Sequence, residues 1–239
     1  RRNGCTLETG GNDQWGNMIG GVDLIRKVDG DASHVLTTPI ITKADGTKFG
    51  KSEGGAIWLD PTMMSPYAFY QFWLQVEDAD VVRFLKIFTF LDRARIEELE
   101  VEVAERPHAR VAQKVLAAEV TKLVHGEEEC ERVLGATNAL WGGGDLRAID
   151  ADTLASATSD LPRATLKLGE ATMVDALVET GLEKGRGAAR RTIASGGAYL
   201  NNVKREDAEA VFTADDVLAG HRLLIRKGRR NLAVIEFDD

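Results

Sequence analysis

The stretch GGNDQWGN at residues 10–17 decides the fold at the start of this chain. Apolar side chains recur after it at three- and four-residue spacing, which predicts a helix over residues 13–28 with Asp13 as its N-cap. The two glycines let a backbone approach a ligand closely, and a helix N-terminus can bind ribose or phosphate. The same residues also suit a plain tight turn with a capping aspartate. The stretch therefore predicts a helix entered through a glycine turn, with ligand binding left open at this point.

A second stretch, TKADGTKFGKSEGG at residues 42–55, is rich in glycine and lysine and follows a short β-branched run. Flexible cations can close on a triphosphate and stabilise the charge that develops on a leaving phosphate. A solvated β-hairpin with an Asp-Gly turn is the alternative interpretation. A P-loop ATPase is excluded, because Asp45 stands where the first glycine of that motif belongs. Three lysines of the stretch fall within nine residues, and a serine follows the last of them: Lys43, Lys48, Lys51 and Ser52.

Helical patterns dominate the middle of the chain. Apolar residues at helical spacing, with Gly126 as a stop, predict a bundle of helices. The predicted helical segments are residues 65–76, 78–92, 93–105 and 110–125. Residues 135–170 carry three consecutive glycines, many small polar residues and Pro162, so they predict a weakly packed connector at a domain boundary.

The last part of the chain reads as a small α+β module, with two short helices followed by the strands AYLNN, HRLLIRKG and NLAVIEF. Its basic residues form two runs that could make one RNA-binding face through phosphate contacts. Acids lie between the two runs, so a solvated surface of balanced charge is the alternative. The candidate RNA-binding residues are Arg186, Arg190 and Arg191 on a helix and Arg226, Lys227, Arg229 and Arg230 around a turn.

Composition limits the class of protein. The net charge is -8, and all of the acidic excess lies in residues 1–170, with 19 Lys and Arg against 27 Asp and Glu. No apolar run approaches a membrane span, and 44% hydrophobic with 28% charged residues is typical of a globular protein. The two cysteines are far apart, which argues against a disulfide framework or a metal site and favours the reducing cytoplasm. We expect both cysteines and all four tryptophans to pack in cores.

Together, GGNDQWGN and TKADGTKFGKSEGGAIWLD closely resemble the bacterial tyrosine-tRNA ligases, a family of class I synthetases. K-F-G-K-S at residues 48–52 resembles the family's K-M-S-K-S loop, with Phe49 at the methionine position. The resemblance implies that Gly11, Asp13 and Gln14 contact the adenylate ribose and the substrate. It implies that Lys48 and Lys51 contact the pyrophosphate of ATP, with Ser52 on the same catalytic motif.

The resemblance also implies a multidomain fold that combines α/β, α and α+β parts. Residues 1–62 would be the C-terminal part of a class I Rossmann-like catalytic domain and residues 63–135 a helical anticodon-binding domain. A linker, 136–170, would precede an RNA-binding domain at 171–239 like that of ribosomal protein S-four. The implied partners are tyrosine, ATP with Mg²⁺, tRNA(Tyr) and a second copy of the protein in a homodimer.

No H-I-G-H-like motif occurs in the chain, and its first residues include no initiator Met. We therefore expect a fragment without the N-terminal half of the active site, inactive by itself. The alternative is a non-enzymatic RNA-binding protein that has kept the helical and C-terminal domains. The K-F-G-K-S loop and its GGNDQW partner count against that alternative, because a pure RNA binder has no evident use for them.

Overall fold

The computed structural model describes residues 3–47, 49–50 and 56–237. The chain divides into two compact units, Arg1–Ile57 and Trp58–Asp239. No helix within the described ranges is long and apolar enough to cross a membrane.

The first unit is a strand–helix–strand element. Strand β1 (Leu7–Gly11) pairs in parallel with β2 (His34–Thr38), and helix α1 (Trp15–Asp29) connects them and ends at Gly30, whose φ of 73° suits a glycine. The chain enters α1 through a short 3-10 turn, Asn12–Gln14. The expectation that Asp13 caps α1 is wrong: Asp13 lies inside this turn, and Gln14 occupies the cap position without accepting a capping hydrogen bond from the backbone.

The second unit begins with the predicted helices. They are α2 (Pro66–Leu74), α3 (Asp78–Phe88), α4 (Arg93–Glu105) and α5 (Val111–His125). A further helix, α6 (Glu127–Gly142), follows Gly126 and was not predicted. Ser65 and Asp92 cap α2 and α4 by accepting hydrogen bonds from backbone N–H groups of Ala68 and Arg95. An edge-to-face cluster of Phe69, Trp73, Phe84 and Phe88 fills the core between α2 and α3. The helical bundle and the stop at Gly126 are thus confirmed.

Residues 136–170, predicted as a linker, contain the end of α6, a 3-10 turn (Leu146–Ala148), helix α7 (Ala151–Ala157) and strand β3 (Arg163–Leu166). Leu146 and Leu154 are almost fully buried. Asp150 caps α7 by accepting from the N–H of Thr153 at 2.8 Å. This segment is therefore more regular and better packed than its small polar residues indicate.

The C-terminal module contains α8 (Met173–Glu179), α9 (Arg186–Ala194), β4 (Ala198–Leu200), β5 (Val203–Lys204), β6 (Arg222–Lys227) and β7 (Asn231–Phe237). The strand order is β3-β7-β6-β4-β5, with β3 parallel to β7 and the other pairs antiparallel. One face of the sheet packs on α8 and α9 through residues such as Leu177, Ile193 and Ile225. The predicted helices and strands are confirmed, whereas β3 and β5 were not predicted.

One asparagine joins this module to the helices before it. The Asn202 side-chain Nδ2 donates to the carbonyl oxygens of Ala139 and Gly144, at 2.7 and 3.1 Å. These are carbonyls at and just beyond the last turn of α6, where a helix leaves acceptors without partners. Asn202 therefore fixes the sheet against the end of the bundle.

The expectation that all tryptophans and cysteines are core residues is only partly right. Trp73 and Cys130 are buried, but Trp15, Trp58 and Trp141 are about half exposed and Cys5 is exposed. An apolar run surrounds each tryptophan in sequence, but the run does not fix which side of the helix or loop the ring occupies.

Candidate nucleotide and RNA sites

Both motifs of the first unit emerge at the same edge of its sheet. The last residues of the two parallel strands, Gly11 and Thr38, are paired with each other. The acidic turn follows Gly11, and the lysine-rich stretch follows Thr38 by a few residues. In open parallel sheets, ligands bind beyond the carboxyl ends of the strands, where helix N-termini also point. The topology therefore brings the two motifs to one candidate ligand site.

Gly11 is tightly constrained at this edge. A Cβ atom on residue 11 would lie 2.6 Å from Oδ1 of Asp13 and 3.7 Å from Cγ1 of Ile40. A Cβ on Gly10 would come nearest to the sulfur of Met18, at 3.2 Å. The Asp13 carboxylate thus folds back over the backbone of Gly11. A glycine is needed at this position because a side chain would collide with that carboxylate, and not because the backbone angles require it.

Asp13 and Gln14 present polar atoms to solvent at the start of α1. Both residues are exposed, and Oε1 of Gln14 accepts a hydrogen bond from Nδ2 of Asn17 at 3.0 Å. That bond orients the Gln14 amide. A carboxylate and an oriented amide beside a helix N-terminus can hydrogen-bond ribose hydroxyls and other polar groups of a nucleotide.

The lysine-rich stretch starts as a hairpin. The N–H of Lys43 donates to the carbonyl of Thr47 at 2.8 Å, and that of Phe49 donates to the carbonyl of Ile41 at 3.0 Å. Asp45 closes the turn: hydrogen bonds from the hydroxyl and N–H of Thr47 hold the pKa of its carboxyl below the usual value. Lys48, Lys51 and Ser52 lie outside the described residues. The hairpin alternative thus describes the start of this stretch and does not exclude a role for the lysines in phosphate binding.

Arg186 and Arg190 project from α9 and are already paired with acids. Arg186 Nη1 donates to Asp175 at 2.6 Å, and Nε and Nη2 of Arg190 donate to Glu209 at 3.1 and 2.9 Å. Burial raises the pKa of Asp175, but its hydrogen bonds with Thr172 and Arg186 outweigh burial and lower it. Asp175, which precedes the first basic run, and Glu209, which lies between the two runs, therefore neutralise part of the first run.

The second basic run surrounds the end of β6. Lys227 donates to the carbonyl of Leu182 at 2.9 Å and pairs with Glu183 at 3.0 Å. The guanidinium carbon of Arg226 lies 5.0 Å from the ring centroid of Tyr199. Arg229 and Arg230 are exposed in the turn that follows. Sequence reasoning missed Tyr199 and Lys204 beside this run, because their proximity depends on strand register and not on sequence distance.

Metal-ligating clusters are a further kind of site. Within residues 3–47, 49–50 and 56–237, no group of three His, Cys, Asp or Glu side chains could hold a metal ion.

Known proteins match the chain along its whole length. Residues 3–142 match the family model of class I tRNA synthetases (W and Y), and the chain belongs to that family. A second family model matches the rest of the chain: residues 153–235 match the SYY-like C-terminal domain of tyrosine–tRNA ligases. These matches confirm the resemblance and the fold class inferred from the sequence.

Two curated relatives bear the name tyrosine–tRNA ligase. The protein of Streptomyces griseus is 54% identical over 238 residues, which are 99% of this chain and 56% of that protein. That of Thermobifida fusca is 52% identical over 97% of this chain and 55% of its own length. The chain spans about half the length of the curated relatives it matches. A C-terminally truncated mitochondrial tyrosyl-tRNA synthetase of Aspergillus nidulans is 33% identical, with a TM-score of 0.49 over 58% of this chain and 40% of that chain.

Proposed function

We propose that this chain forms part of a tyrosine-tRNA ligase, which activates tyrosine with ATP and transfers the tyrosyl group to tRNA(Tyr). The observation that carries the proposal is the combination of matches in one chain. A class I synthetase match at residues 3–142 precedes a C-terminal domain match that is specific to tyrosine–tRNA ligases. Identity of 54% to a tyrosine–tRNA ligase over nearly the whole chain supports the same assignment.

In this proposal the carboxyl edge of the first unit is half of the ATP site. Gly11, Asp13 and Gln14 bind the ribose and the amino-acid end of the adenylate. The exposed Asp13 carboxylate and the oriented Gln14 amide support these roles. Lys48, Lys51 and Ser52 contact the phosphates of ATP, which arrives with Mg²⁺ as part of the substrate.

The proposed reaction depends on positively charged side chains placed near the phosphates and needs no covalent enzyme intermediate. The tyrosine carboxylate attacks the α-phosphorus of ATP, the bond to the β-phosphate oxygen breaks, and pyrophosphate leaves. The terminal ribose hydroxyl of tRNA then attacks the tyrosyl carbonyl carbon, and AMP leaves. Negative charge grows on the departing pyrophosphate in the first step, and lysines placed there stabilise the transition state more than bound ATP.

The helical bundle and the C-terminal module would position tRNA. We keep the four-part division at 1–62, 63–135, 136–170 and 171–239 as the proposed domain organisation. The proposed RNA contacts on the C-terminal module are Arg186, Arg190, Arg191, Arg226, Lys227, Arg229 and Arg230. A homodimer in the cytoplasm is proposed from the resemblance alone.

The non-enzymatic RNA-binding protein is the second candidate. It accounts for the basic residues of the C-terminal module but not for the synthetase motifs of the first unit. The family match includes that unit from residue 3 onward, which favours the enzyme.

The test fuses this chain behind the part of the Streptomyces griseus enzyme that the chain does not span. The readout is amino-acid-dependent exchange between ATP and pyrophosphate. We expect exchange with tyrosine and not with tryptophan. In the same chimera, Lys51→Ala should lower the exchange rate far more than it raises the KM for ATP, while Lys27→Ala, a surface change on α1, should leave both unchanged. A folded chimera that binds tRNA but shows no exchange would favour the RNA-binding alternative.

A further inference from the structure

Three side chains form a row across the sheet of the C-terminal module. Tyr199 on β4 is directly paired with Lys204 on β5 and with Arg226 on β6. Paired residues of neighbouring strands point to the same face of a sheet. Ala198 and Leu200, which flank Tyr199, are buried in the core against α8 and α9. The row therefore lies on the opposite face.

The guanidinium of Arg226 lies over an aromatic ring, and not all of its donors are hydrogen-bonded. Its guanidinium lies over the Tyr199 ring, with 5.0 Å between Cζ and the ring centroid. Its Nε is buried and has no hydrogen-bond partner among the described residues.

The row ends at a corner with further positive charge. The N–H of Gly228 donates to the carbonyl of Gly197 at 2.7 Å, which brings the β6–β7 turn against the turn before β4. The Lys204 side chain folds over Gly196 in that second turn, and its Nζ pairs with the exposed Glu206 at 2.9 Å. Arg229 and Arg230 are exposed in the first turn and make no ion pair with any residue of the described ranges.

We infer that Tyr199 and Arg226 form a stacking platform for one unpaired RNA base, with Lys204, Arg229 and Arg230 binding the adjoining phosphates. Single-stranded bases stack on aromatic rings and on guanidinium planes, and basic side chains follow the backbone. An acidic peptide would satisfy the positive charges but would make no use of a guanidinium placed over an aromatic ring. The inference rests on the proposed function, which makes RNA the partner, and assigns one nucleotide contact within it.

The test uses the complete 239-residue chain and two RNA probes. One is a transcript of Streptomyces griseus tRNA(Tyr). The other is a single-stranded RNA 12-mer with a central 2-aminopurine, whose fluorescence falls when the base stacks. We expect the 12-mer to bind with quenching of that fluorescence. Arg226→Lys keeps the charge but removes the planar group, and it should weaken binding about tenfold and abolish the quenching.

Matched variants separate stacking from charge and from folding. Tyr199→Phe should bind as the unmodified chain does, and Tyr199→Leu should lose the quenching. Arg222→Lys is the control, because Arg222 lies on the same strand and pairs with Glu236 instead. Thermal unfolding of every variant identifies any that fails to fold, and Arg226→Lys, the mildest change, still tests the inference if Tyr199→Leu does not fold.

The outcomes distinguish this inference from the proposed function. If the chain binds tRNA(Tyr) and the 12-mer, but Arg226→Lys matches it in affinity and quenching, the platform is wrong and the RNA role stands. If the chain binds neither probe at low salt, both the platform and the RNA role are wrong. If polyglutamate displaces the 12-mer at equal charge concentration and no quenching occurs, the corner is a general polyanion site and the platform is again wrong.

Discussion

Oδ1 of Asp13 lies 2.6 Å from the point where a Cβ atom on residue 11 would be. No real Cβ tolerates such a contact, so any side chain at residue 11 must displace the Asp13 carboxylate. We expect Gly11→Ala, in the chimera with the Streptomyces griseus segment, to lower kcat/KM for ATP in the exchange reaction by about tenfold or more, the loss of one well-placed hydrogen bond to substrate. Gly10→Ala is the matched control, because its nearest contact is the Met18 sulfur at 3.2 Å, which belongs to a flexible side chain. Equal effects of the two substitutions would contradict the role given to Asp13.

Glu209 is hydrogen-bonded to Arg190, one of the proposed RNA contacts. The two guanidinium nitrogens of Arg190 donate to Glu209 on an exposed surface, where an ion pair contributes little to stability. We therefore expect Glu209→Gln to strengthen binding of tRNA(Tyr) several-fold at low salt and to leave the free energy of unfolding nearly unchanged. Glu170→Gln removes the same charge from an exposed position without a described ion pair. If both variants bind RNA equally, the gain reflects net charge only, and Arg190 has no specific role.

Leu154 tests the organisation of the segment that joins the bundle to the C-terminal module. It is fully buried, although its neighbours in sequence are small and polar. We expect Leu154→Ala to lower the free energy of unfolding by about 2 to 5 kcal/mol, as large-to-small changes in cores do. Asp152→Ala, an exposed change in the same helix, should stay within about 0.5 kcal/mol of the unmodified chain. Urea denaturation measures both, and a negligible effect of Leu154→Ala would mean that the segment is a loose linker.

His125 should make stability depend on pH. Its ring packs edge-on against Phe69, with 4.9 Å between centroids, and Nε2 is buried without a described partner. Burial lowers the pKa of His125 from 6.5, against a smaller opposing effect of Glu129. As pH falls, the unfolded chain therefore takes up the proton before the folded chain does. The contribution of neutral His125 to the free energy of unfolding is complete above the unfolded pKa of 6.5 and is lost as the pH falls below it. Urea denaturation should show a lower free energy of unfolding at pH 5.5 than at pH 7.5, and the difference should be smaller in His125→Gln. An identical difference in the unmodified chain and in His125→Gln would contradict the role given to His125.

Local patterns predicted most of the elements but not their contacts. Helical spacing from residue 65 onward and the stop at Gly126 were sufficient for α2 to α5, because their apolar residues recur regularly and Gly126 follows the last of them. Helix α6 was not predicted. Strand β3 was missed, because its four residues lie in a run of small polar residues and pair with β7, far away in sequence. The row of Lys204, Tyr199 and Arg226 depends on register, which no local pattern contains. The acid partners of Arg186 and Arg190 could not be predicted either, because they are distant in sequence and meet the arginines only in the folded module.

The candidate ATP site was likewise predictable in its residues but not in their contacts. The two motifs and their residues could be read directly from the sequence, whereas their meeting depends on the parallel pairing of β1 with β2. The sequence also suggested that Asp13 caps α1, because an acid before an apolar periodic run usually does. In the structure a 3-10 turn intervenes, and the carboxylate covers Gly11 instead.

The most direct test of the account is tyrosylation of tRNA(Tyr) by the chimera of this chain with the Streptomyces griseus segment. This reaction requires both the proposed ATP site of the first unit and the proposed RNA contacts of the second. We expect radioactive tyrosine, and not tryptophan, to be attached to the tRNA in an ATP-dependent reaction, and Lys51→Ala to reduce the rate severely. If a folded chimera fails to charge the tRNA that the complete Streptomyces griseus enzyme charges, this chain does not supply the catalytic and RNA-binding parts of a tyrosine-tRNA ligase.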